Sequence, residues 1–301
     1  MTPLVRLIKS SYFFCFYLSC FLFISCCKSD RPGELQLCSV PPPQPNETFA
    51  TIVDPKEVIF MMHAIQTVYN QIPDLAGYSK IETINCRAFS NEEQQHIDSR
   101  MLVDIERGNG NPWAYVYQNN MDPNDLLIAI RGTESIMEWI KDFEVNKVSF
   151  VSFSGQRKNV KVENGFFSIY KNIRAELFAI LQHHKPSRLR ISGHSLGGAL
   201  ATLLTYDIAL SAPKIKPILF TYGNPHTGDQ NFVNAIKQIS IKNAVRLTFV
   251  VNIKDIIPKL PPTLFGYESI PFSNYRLCFD AGNIIQNHVL YELALRKLFN
   301  Q

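Results

Sequence analysis

The chain has 301 residues, of which 46% are hydrophobic and 19% are charged. This hydrophobic fraction is typical of a globular protein and excludes wholesale disorder. The length fits one large α/β unit or two smaller domains. The formal net charge of +4 is too weak and too scattered along the chain to indicate a nucleic-acid-binding protein.

Residues 1–27 have the pattern of an export signal. Arg6 and Lys9 precede an almost wholly apolar run, residues 11–24, as in a secretory signal peptide. The run is at the lower limit of what can cross a bilayer, so an uncleaved membrane anchor is also open.

The seven cysteines fall into two groups. Four lie in the first 27 residues, and the stretch FISC, which ends at Cys26, resembles a bacterial lipobox. Lipidation of Cys26, or of the competing Cys27, is therefore an alternative to ordinary secretion. The other three, Cys38, Cys86 and Cys278, are an odd number, which predicts that they form no disulfide framework.

A proline-rich stretch follows the signal. Residues 28–50 contain three consecutive prolines at 41–43, and such a polar stretch behaves as a stiff spacer. We therefore expect a signal (1–27), a linker (28–50) and one folded domain (51–301).

The first part of this domain mixes helices with short strands. Apolar spacing predicts a helix over 54–71, begun by Asp54-Pro55, and a second over 90–107. Short β-rich runs predict neighbouring strands at 113–118 and 126–131, and an edge strand at 145–153.

From residue 165 onward, helices and strands alternate. The predicted helices cover 165–184, 196–210, 229–238 and 283–299, and the predicted strands cover 188–192, 218–222 and 245–252. This alternation indicates βαβ crossovers, and hence an α/β fold with a largely parallel sheet.

A G-x-S-x-G motif stands between a predicted strand and a predicted helix, at Gly193 to Gly197. In this setting the serine lies on a sharp, strained turn, and the two glycines let the strand and the helix approach each other. The helix N-terminus and the N–H of Leu196 can stabilise an oxyanion beside the serine hydroxyl. We therefore predict that Ser195 is a nucleophile rather than a helix cap.

A serine nucleophile needs a base, and the base needs an acid. After this motif the acid comes next in the chain and the histidine last. His226 leaves too little chain for the acid-bearing strand, so His288 is the predicted base. Asp255 follows the strand RLTFVVN and is the predicted acid, with Asp280 as the alternative.

The strand at 126–131 leads into Gly132-Thr133, which could offer a backbone N–H and a hydroxyl to a reacting carbonyl oxygen. Taken alone, this sequence also fits a simple turn. The segment ESIMEWIKDF follows, and its apolar residues share one helical face. It predicts either a lid over the site or a surface helix packed on the core.

Several separated segments together resemble the class 3 lipases, the fungal-type lipases of the α/β-hydrolase fold. The segments are IAIRGTESIMEWIKDF, GFFSIY, GHSLGGALATLL, TYGNPHTGD, VVNIKDIIPKLPP and NHVLY. They agree with the family in order and spacing over about residues 126–291. The resemblance implies an α/β-hydrolase fold with a mostly parallel central sheet flanked by helices.

The resemblance also assigns roles to residues. It implies Ser195 as nucleophile, Asp255 as acid, His288 as base, Thr133 and the N–H of Leu196 as the oxyanion hole, residues 135–143 as the lid, and Asp142 as the acid that braces this loop. Two features depart from the family. Asn164 stands where a histidine is frequent, and the family's disulfides do not map onto the cysteines at 38, 86 and 278.

The implied activity is that of a serine carboxylic-ester hydrolase that cleaves acyl esters of lipids through an acyl-serine and needs no cofactor or metal. A phospholipase A and a feruloyl-type esterase are alternatives, because the motif does not encode the acyl chain. A catalytically idle surface lipoprotein is the non-enzyme alternative. The expected partners are a lipid or ester substrate and a membrane or lipid–water interface, with no nucleic acid; protein partners are left open.

Overall fold

The structure is a computed structural model that describes residues 35–41, 54–86, 89, 111–133, 146–271 and 274–300. Three predictions fall outside these residues: the export signal with Cys26 and Cys27, the helix over 90–107, and the lid at 135–143 with Asp142. In the described ranges, no helix is long and apolar enough to cross a membrane.

The described elements alternate between strands and helices for most of the chain. In chain order they are β1 (Gln36–Leu37), α1 (Pro55–Tyr69), β2 (Tyr78–Ile84), β3 (Ala114–Asn119), β4 (Asp125–Ile130), β5 (Lys147–Val151), β6 (Arg157–Glu163), α2 (Asn164–His184), β7 (Arg188–His194), α3 (Leu196–Ser211), β8 (Pro217–Tyr222), α4 (Gln230–Asn243), β9 (Arg246–Asn252), β10 (Asn274–Leu277), β11 (Phe279–Asp280), α5 (Ile284–Val289) and α6 (Tyr291–Leu298). Two short 3₁₀ turns, Ile257–Lys259 and Thr263–Phe265, follow β9.

A seven-stranded sheet forms the centre, in the order β10-β9-β8-β7-β4-β3-β2. The five strands from β10 to β4 are parallel, and β3 and β2 continue the sheet antiparallel. The predicted parallel sheet and the α/β class are thus confirmed. Because parallel strands end at the same edge, the loops after β4, β7, β8 and β9 meet there.

Helices cover both faces of the sheet because successive side chains of each strand point to opposite sides. Leu127 and Ala129 pack in a core with α1 and α6, whereas Ile128 and Ile130 pack in a second core with α2, α3 and α4. The α/β-hydrolase architecture expected from the sequence is therefore present.

Most predicted boundaries hold to within a few residues. Helix α1 begins as expected, with the Asp54 carboxylate accepting the N–H of Lys56 at 2.9 Å. The strand predicted at 145–153 is present as β5, but it does not lie at the edge of the central sheet. Strand β5 pairs with β6 in a separate two-stranded sheet, because a tight turn at Gly155 (φ 81°) folds the chain back on itself.

The single helix predicted over 283–299 is two helices, α5 and α6, with a break at Leu290. Two carbonyls that would continue one helix accept side-chain donors from the sheet. The Asn287 carbonyl accepts Nδ2 of Asn252 at 3.0 Å, and the His288 carbonyl accepts Nε2 of His194 at 2.9 Å. These bonds hold the segment against the sheet edge.

The cysteines outside the signal, for which the odd count predicts no disulfide framework, include one bonded pair. Cys38 and Cys278 are bonded across 240 residues of sequence. Cys86, the third of these cysteines, is half-buried. Strand β1 also pairs with β11, so residues 35–41 of the predicted linker are fastened to the domain.

Candidate active site

Ser195 lies on the sharp turn between β7 and α3, as the motif predicts. Its backbone has φ 57° and ψ −128°, a strained conformation for a residue with a side chain, and its N–H donates to the Tyr222 carbonyl at 2.9 Å. A methyl group at Gly193 would collide with the Gly197 backbone, and one at Gly197 would collide with the end of β4. The glycines are therefore required by close backbone approach.

Asp255 and His288 form a buried pair at the same sheet edge. The Nδ1–H of His288 donates to Oδ2 of Asp255 at 2.7 Å, because a carboxylate can only accept. The side chains are 0% and 1% exposed, respectively. The neutral ring therefore keeps its free lone pair on Nε2, which is the tautomer that a general base needs.

Three hydrogen bonds hold the carboxylate of Asp255. Besides His288, its oxygens accept the hydroxyl of Tyr291 at 2.9 Å and the backbone N–H of Ile257 at 2.9 Å. Burial first, and the nearby Asp255 second, raise the pKa of Tyr291 well above its usual range, so its hydroxyl remains a donor. Sequence reasoning missed Tyr291, although it stands three residues after the predicted base.

Sequence reasoning also missed a second pair, Asn252 and Asn287, which joins the end of β9 to the segment that carries His288. Besides its bond to the Asn287 carbonyl, Asn252 accepts the Phe279 N–H at 3.1 Å. The side chain of Asn287 accepts the Ala281 N–H at 2.7 Å. Asn252 is the last residue of β9, and Asn287 directly precedes His288. These two positions are the sequence signal that could have identified the pair.

The Ser195 hydroxyl and the His288 imidazole lie in the same region without a hydrogen bond between them. The His288 ring is 4.6 Å, centroid to centroid, from the ring of His194, the residue that precedes the serine. Both Oγ of Ser195 and Nε2 of His288 are buried, and neither has a hydrogen-bond partner among the described residues. Catalytic hydrogen bonds are often long in the absence of substrate and tighten when it binds.

The residues predicted for the oxyanion hole flank Ser195 from two sides. Leu196 is the first residue of α3, so its N–H has no acceptor within the helix. Thr133 is buried after β4 and lines the cavity that His288 also lines. Gly132, which precedes Thr133, lies so close to Ser195 that an added Cβ would be 2.8 Å from Cβ of Ser195.

The alternative acid, Asp280, and the other histidine after Ser195, His226, have other partners. The Asp280 carboxylate accepts the Gly282 N–H at 2.9 Å and lies 3.4 Å from Nδ2 of Asn287, so it closes a turn. Nδ1 of His226 donates to the Pro261 carbonyl at 2.7 Å, and burial lowers the pKa of His226. Neither side chain forms part of the Asp255–His288 pair.

A cavity of about 660 Å³ opens beside His288. Its lining is mixed. The polar and aromatic lining residues are Gln66, Tyr69, Thr133, His194, His288, Glu292 and Arg296, and the apolar ones are Ile285, Val289, Leu290 and Leu293, in α5, in α6 and at the break between them. Within the described ranges, no cluster of His, Cys, Asp or Glu side chains is suited to a metal ion.

The structure has an α/β-hydrolase fold in which a serine turn and a histidine–aspartate pair share one sheet edge. Residues 127–265 match the sequence model of the family described as Lipase (class 3). This match confirms the resemblance to the class 3 lipases that the motifs of this segment indicate.

Two curated relatives illustrate the range of the family. A lipase from Rhizomucor miehei is 36% identical over 151 residues, which are 47% of this chain and 39% of the relative. Phospholipase A1-Igamma2, chloroplastic, from Arabidopsis thaliana is 30% identical over 207 residues, which are 59% of this chain and 38% of the relative. The chain therefore spans less than half the length of these relatives.

Solved structures share the fold over more of the chain. The triacylglyceride lipase of Rhizomucor miehei superimposes with a TM-score of 0.56 at 21% identity, covering 80% of this chain and 92% of that one. A lipase from Rhizopus microsporus var. chinensis has a TM-score of 0.56 at 19% identity, covering 89% and 93%. At these identities the likeness shows a common fold.

Proposed function

We propose that the chain is a serine carboxylic-ester hydrolase that cleaves acyl esters of lipids through an acyl-serine intermediate. One observation carries the proposal. A buried hydroxyl on Ser195 and a buried imidazole nitrogen on His288 both lack a partner among the described residues, beside a carboxylate that fixes the base tautomer. Buried polar atoms are rarely left unpaired, and when they are, catalysis is a common reason.

In the proposed mechanism, Nε2 of His288 takes the proton from Ser195 as its oxygen attacks the acyl carbonyl. The transfer requires the two atoms to come within about 2.6–3.2 Å when substrate binds. The N–H of Leu196 and the hydroxyl of Thr133 stabilise the tetrahedral oxyanion. His288 then protonates the alcohol leaving group, and a water molecule activated by the same nitrogen releases the acid.

An apolar acyl chain fits the cavity beside His288. Ile285 and Val289 of α5 and Leu293 of α6 line the cavity and are also exposed to solvent. Such a surface is suited to an acyl chain and to a lipid–water interface. The relatives named lipase and phospholipase A1 support a lipid ester as substrate, with a phospholipid as the second candidate.

We further propose that residues 1–27 direct export, that residues 28–50 link the signal to the domain at 51–301, and that Cys26 or Cys27 is a candidate lipidation site. The Cys38–Cys278 disulfide supports an oxidising compartment outside the cytosol.

Hydrolysis of a panel of esters by the full-length chain tests the proposed activity. A triglyceride, a phospholipid and p-nitrophenyl butyrate are compared for the wild type, Ser195→Ala and Ser192→Ala. Ser192 is the matched control, because its hydroxyl is buried in β7, the strand that leads into Ser195, and donates to the Met61 carbonyl at 2.9 Å. We expect hydrolysis and fluorophosphonate labelling to be lost only in Ser195→Ala, whereas full turnover by that variant would refute the assignment.

A further inference from the structure

We propose that Tyr69 and His194 are positioning residues, which hold the oxyanion turn and the base-bearing segment in register around Ser195. This inference rests on the proposed hydrolase function. It concerns a continuous chain of hydrogen bonds that joins α1, the turn after β4, the end of β7 and α5. No residue of the Asp255–His288 side-chain pair contributes a side chain to it.

The direction of each hydrogen bond in this series follows from the groups at its two ends, the His288 carbonyl and the Gly132 N–H. Nε2 of His194 lies 2.9 Å from the carbonyl oxygen of His288, which can only accept, so Nε2 carries the proton. In the neutral ring, Nδ1 must then accept, and it does so from the hydroxyl of Tyr69 at 2.9 Å. The oxygen of Tyr69 in turn accepts the N–H of Gly132 at 2.7 Å.

The direction of these bonds is stable over the pH range in which esterases are assayed. His194 is only 3% exposed, and burial, with the neighbouring His288 second, lowers the pKa of His194 to about 3. The ring therefore stays neutral, and its Nδ1 remains an acceptor for Tyr69.

This series of hydrogen bonds has two consequences for the site. First, the N–H of Gly132 donates to Tyr69, so Tyr69 holds the turn that carries Thr133, the proposed oxyanion donor. Second, Gly132 lies against Cβ of Ser195, so a displacement of the turn changes the geometry between the nucleophile and its oxyanion donors. Misplacement by about 1 Å can cost on the order of 100-fold in rate.

The same series of hydrogen bonds also holds His288, the proposed base. The His288 side chain is fixed by Asp255, and its main-chain carbonyl is fixed by His194. Removing the Tyr69 hydroxyl leaves the Gly132 N–H and Nδ1 of His194 without this partner, and an unpaired buried polar group is costly. The turn is expected to shift until it finds another partner.

The test uses Tyr69→Phe in the full-length chain, with Tyr117→Phe as its matched control. The hydroxyl of Tyr117 lies 2.6 Å from Oγ1 of Thr67, in the same helix α1, but its bond does not reach the oxyanion turn. With p-nitrophenyl butyrate, we expect Tyr69→Phe to lower kcat about tenfold or more with little change in KM, because the interaction matters mainly in the transition state. Tyr117→Phe should keep kcat within about twofold even where it lowers the melting temperature.

A double-mutant cycle separates positioning from a general loss of stability. If Tyr69 acts through the turn, Tyr69→Phe should lower kcat much less in a Thr133→Ala background than in the wild type. An equal loss in both backgrounds, or wild-type kcat in Tyr69→Phe, would overturn the inference. If Tyr69→Phe does not fold, His194→Gln tests the same chain from its other end, and wild-type kcat there would overturn the inference equally.

The proposed function is tested first and separately. If the wild type hydrolyses the ester and Ser195→Ala does not, the hydrolase assignment stands, and an unchanged kcat in Tyr69→Phe then contradicts only the positioning role. An inactive, folded wild type contradicts the hydrolase assignment itself.

Discussion

Asp255 and His288 are joined by a 2.7 Å hydrogen bond in an almost completely buried environment. The carboxylate fixes which ring nitrogen carries the proton. Replacement by an amide keeps the shape but can present a donor to Nδ1 and favour the wrong tautomer. We therefore expect Asp255→Asn to lower kcat by about 10⁴-fold, as loss of the triad acid does in serine hydrolases, measured with p-nitrophenyl butyrate at neutral pH.

Asp280→Asn is the matched control for this substitution. Asp280 was the alternative acid from the sequence, but its carboxylate closes a turn at Gly282. Its variant should keep kcat within about threefold, as for an ordinary turn substitution. The reverse pattern, with Asp280→Asn inactive and Asp255→Asn active, would move the acid to position 280.

Gly223 allows the pair to form where it does. It has φ 56°, and an added Cβ would be 2.7 Å from Oδ2 of Asp255 and 3.1 Å from Nδ1 of His288. Gly223→Ala should therefore push the pair apart and abolish most ester hydrolysis. Gly155→Ala is the control, because Gly155 has φ 81° and no atom within 4 Å of the added Cβ.

Both glycine substitutions carry a backbone strain of about 1–2 kcal/mol, which urea unfolding should detect in each variant. Only Gly223→Ala should lose activity in the protein that remains folded. Comparable activity in the two variants would show that the space beside the pair is not needed.

The local sequence predicted those parts of the structure that are determined by local patterns. Ser195 was found because a strand, three glycines and a helix adjoin it, and α1 was found from Asp54-Pro55 and its apolar spacing. Asp255 was found because it follows a strand whose end must lie at the same sheet edge. These features require no knowledge of which distant segments meet.

The features that sequence reasoning missed depend on contacts between distant segments. The Cys38–Cys278 bond spans 240 residues, and cysteine counting cannot reveal such a pairing. The break at Leu290 arises because His194 and Asn252 bind two carbonyls of this segment. The partners of Tyr69, Gly132 and His194, are 63 and 125 residues away from it in the sequence.

The Cys38–Cys278 disulfide fastens the N-terminal segment beside β11. Because it closes a loop of more than 200 residues, its loss increases the entropy of the unfolded chain, and we expect the double variant Cys38→Ser/Cys278→Ser to lose about 2–5 kcal/mol of unfolding free energy. Cys86→Ser should change this value by less than about 1 kcal/mol. Urea unfolding with and without dithiothreitol provides the measurement, and a reductant-insensitive wild type would contradict the prediction.

The buried ring of His194 should make the folded state sensitive to acid. Burial lowers its pKa to about 3 from a model-peptide value of 6.5, so between these values the unfolded chain binds a proton that the folded chain does not. Stability must then fall as pH decreases through this window, by at most about 1.4 kcal/mol per pH unit from this residue. His194→Gln should show a shallower decrease between pH 6.5 and 3, measured by urea unfolding, whereas His183→Gln at an exposed position should keep the wild-type slope.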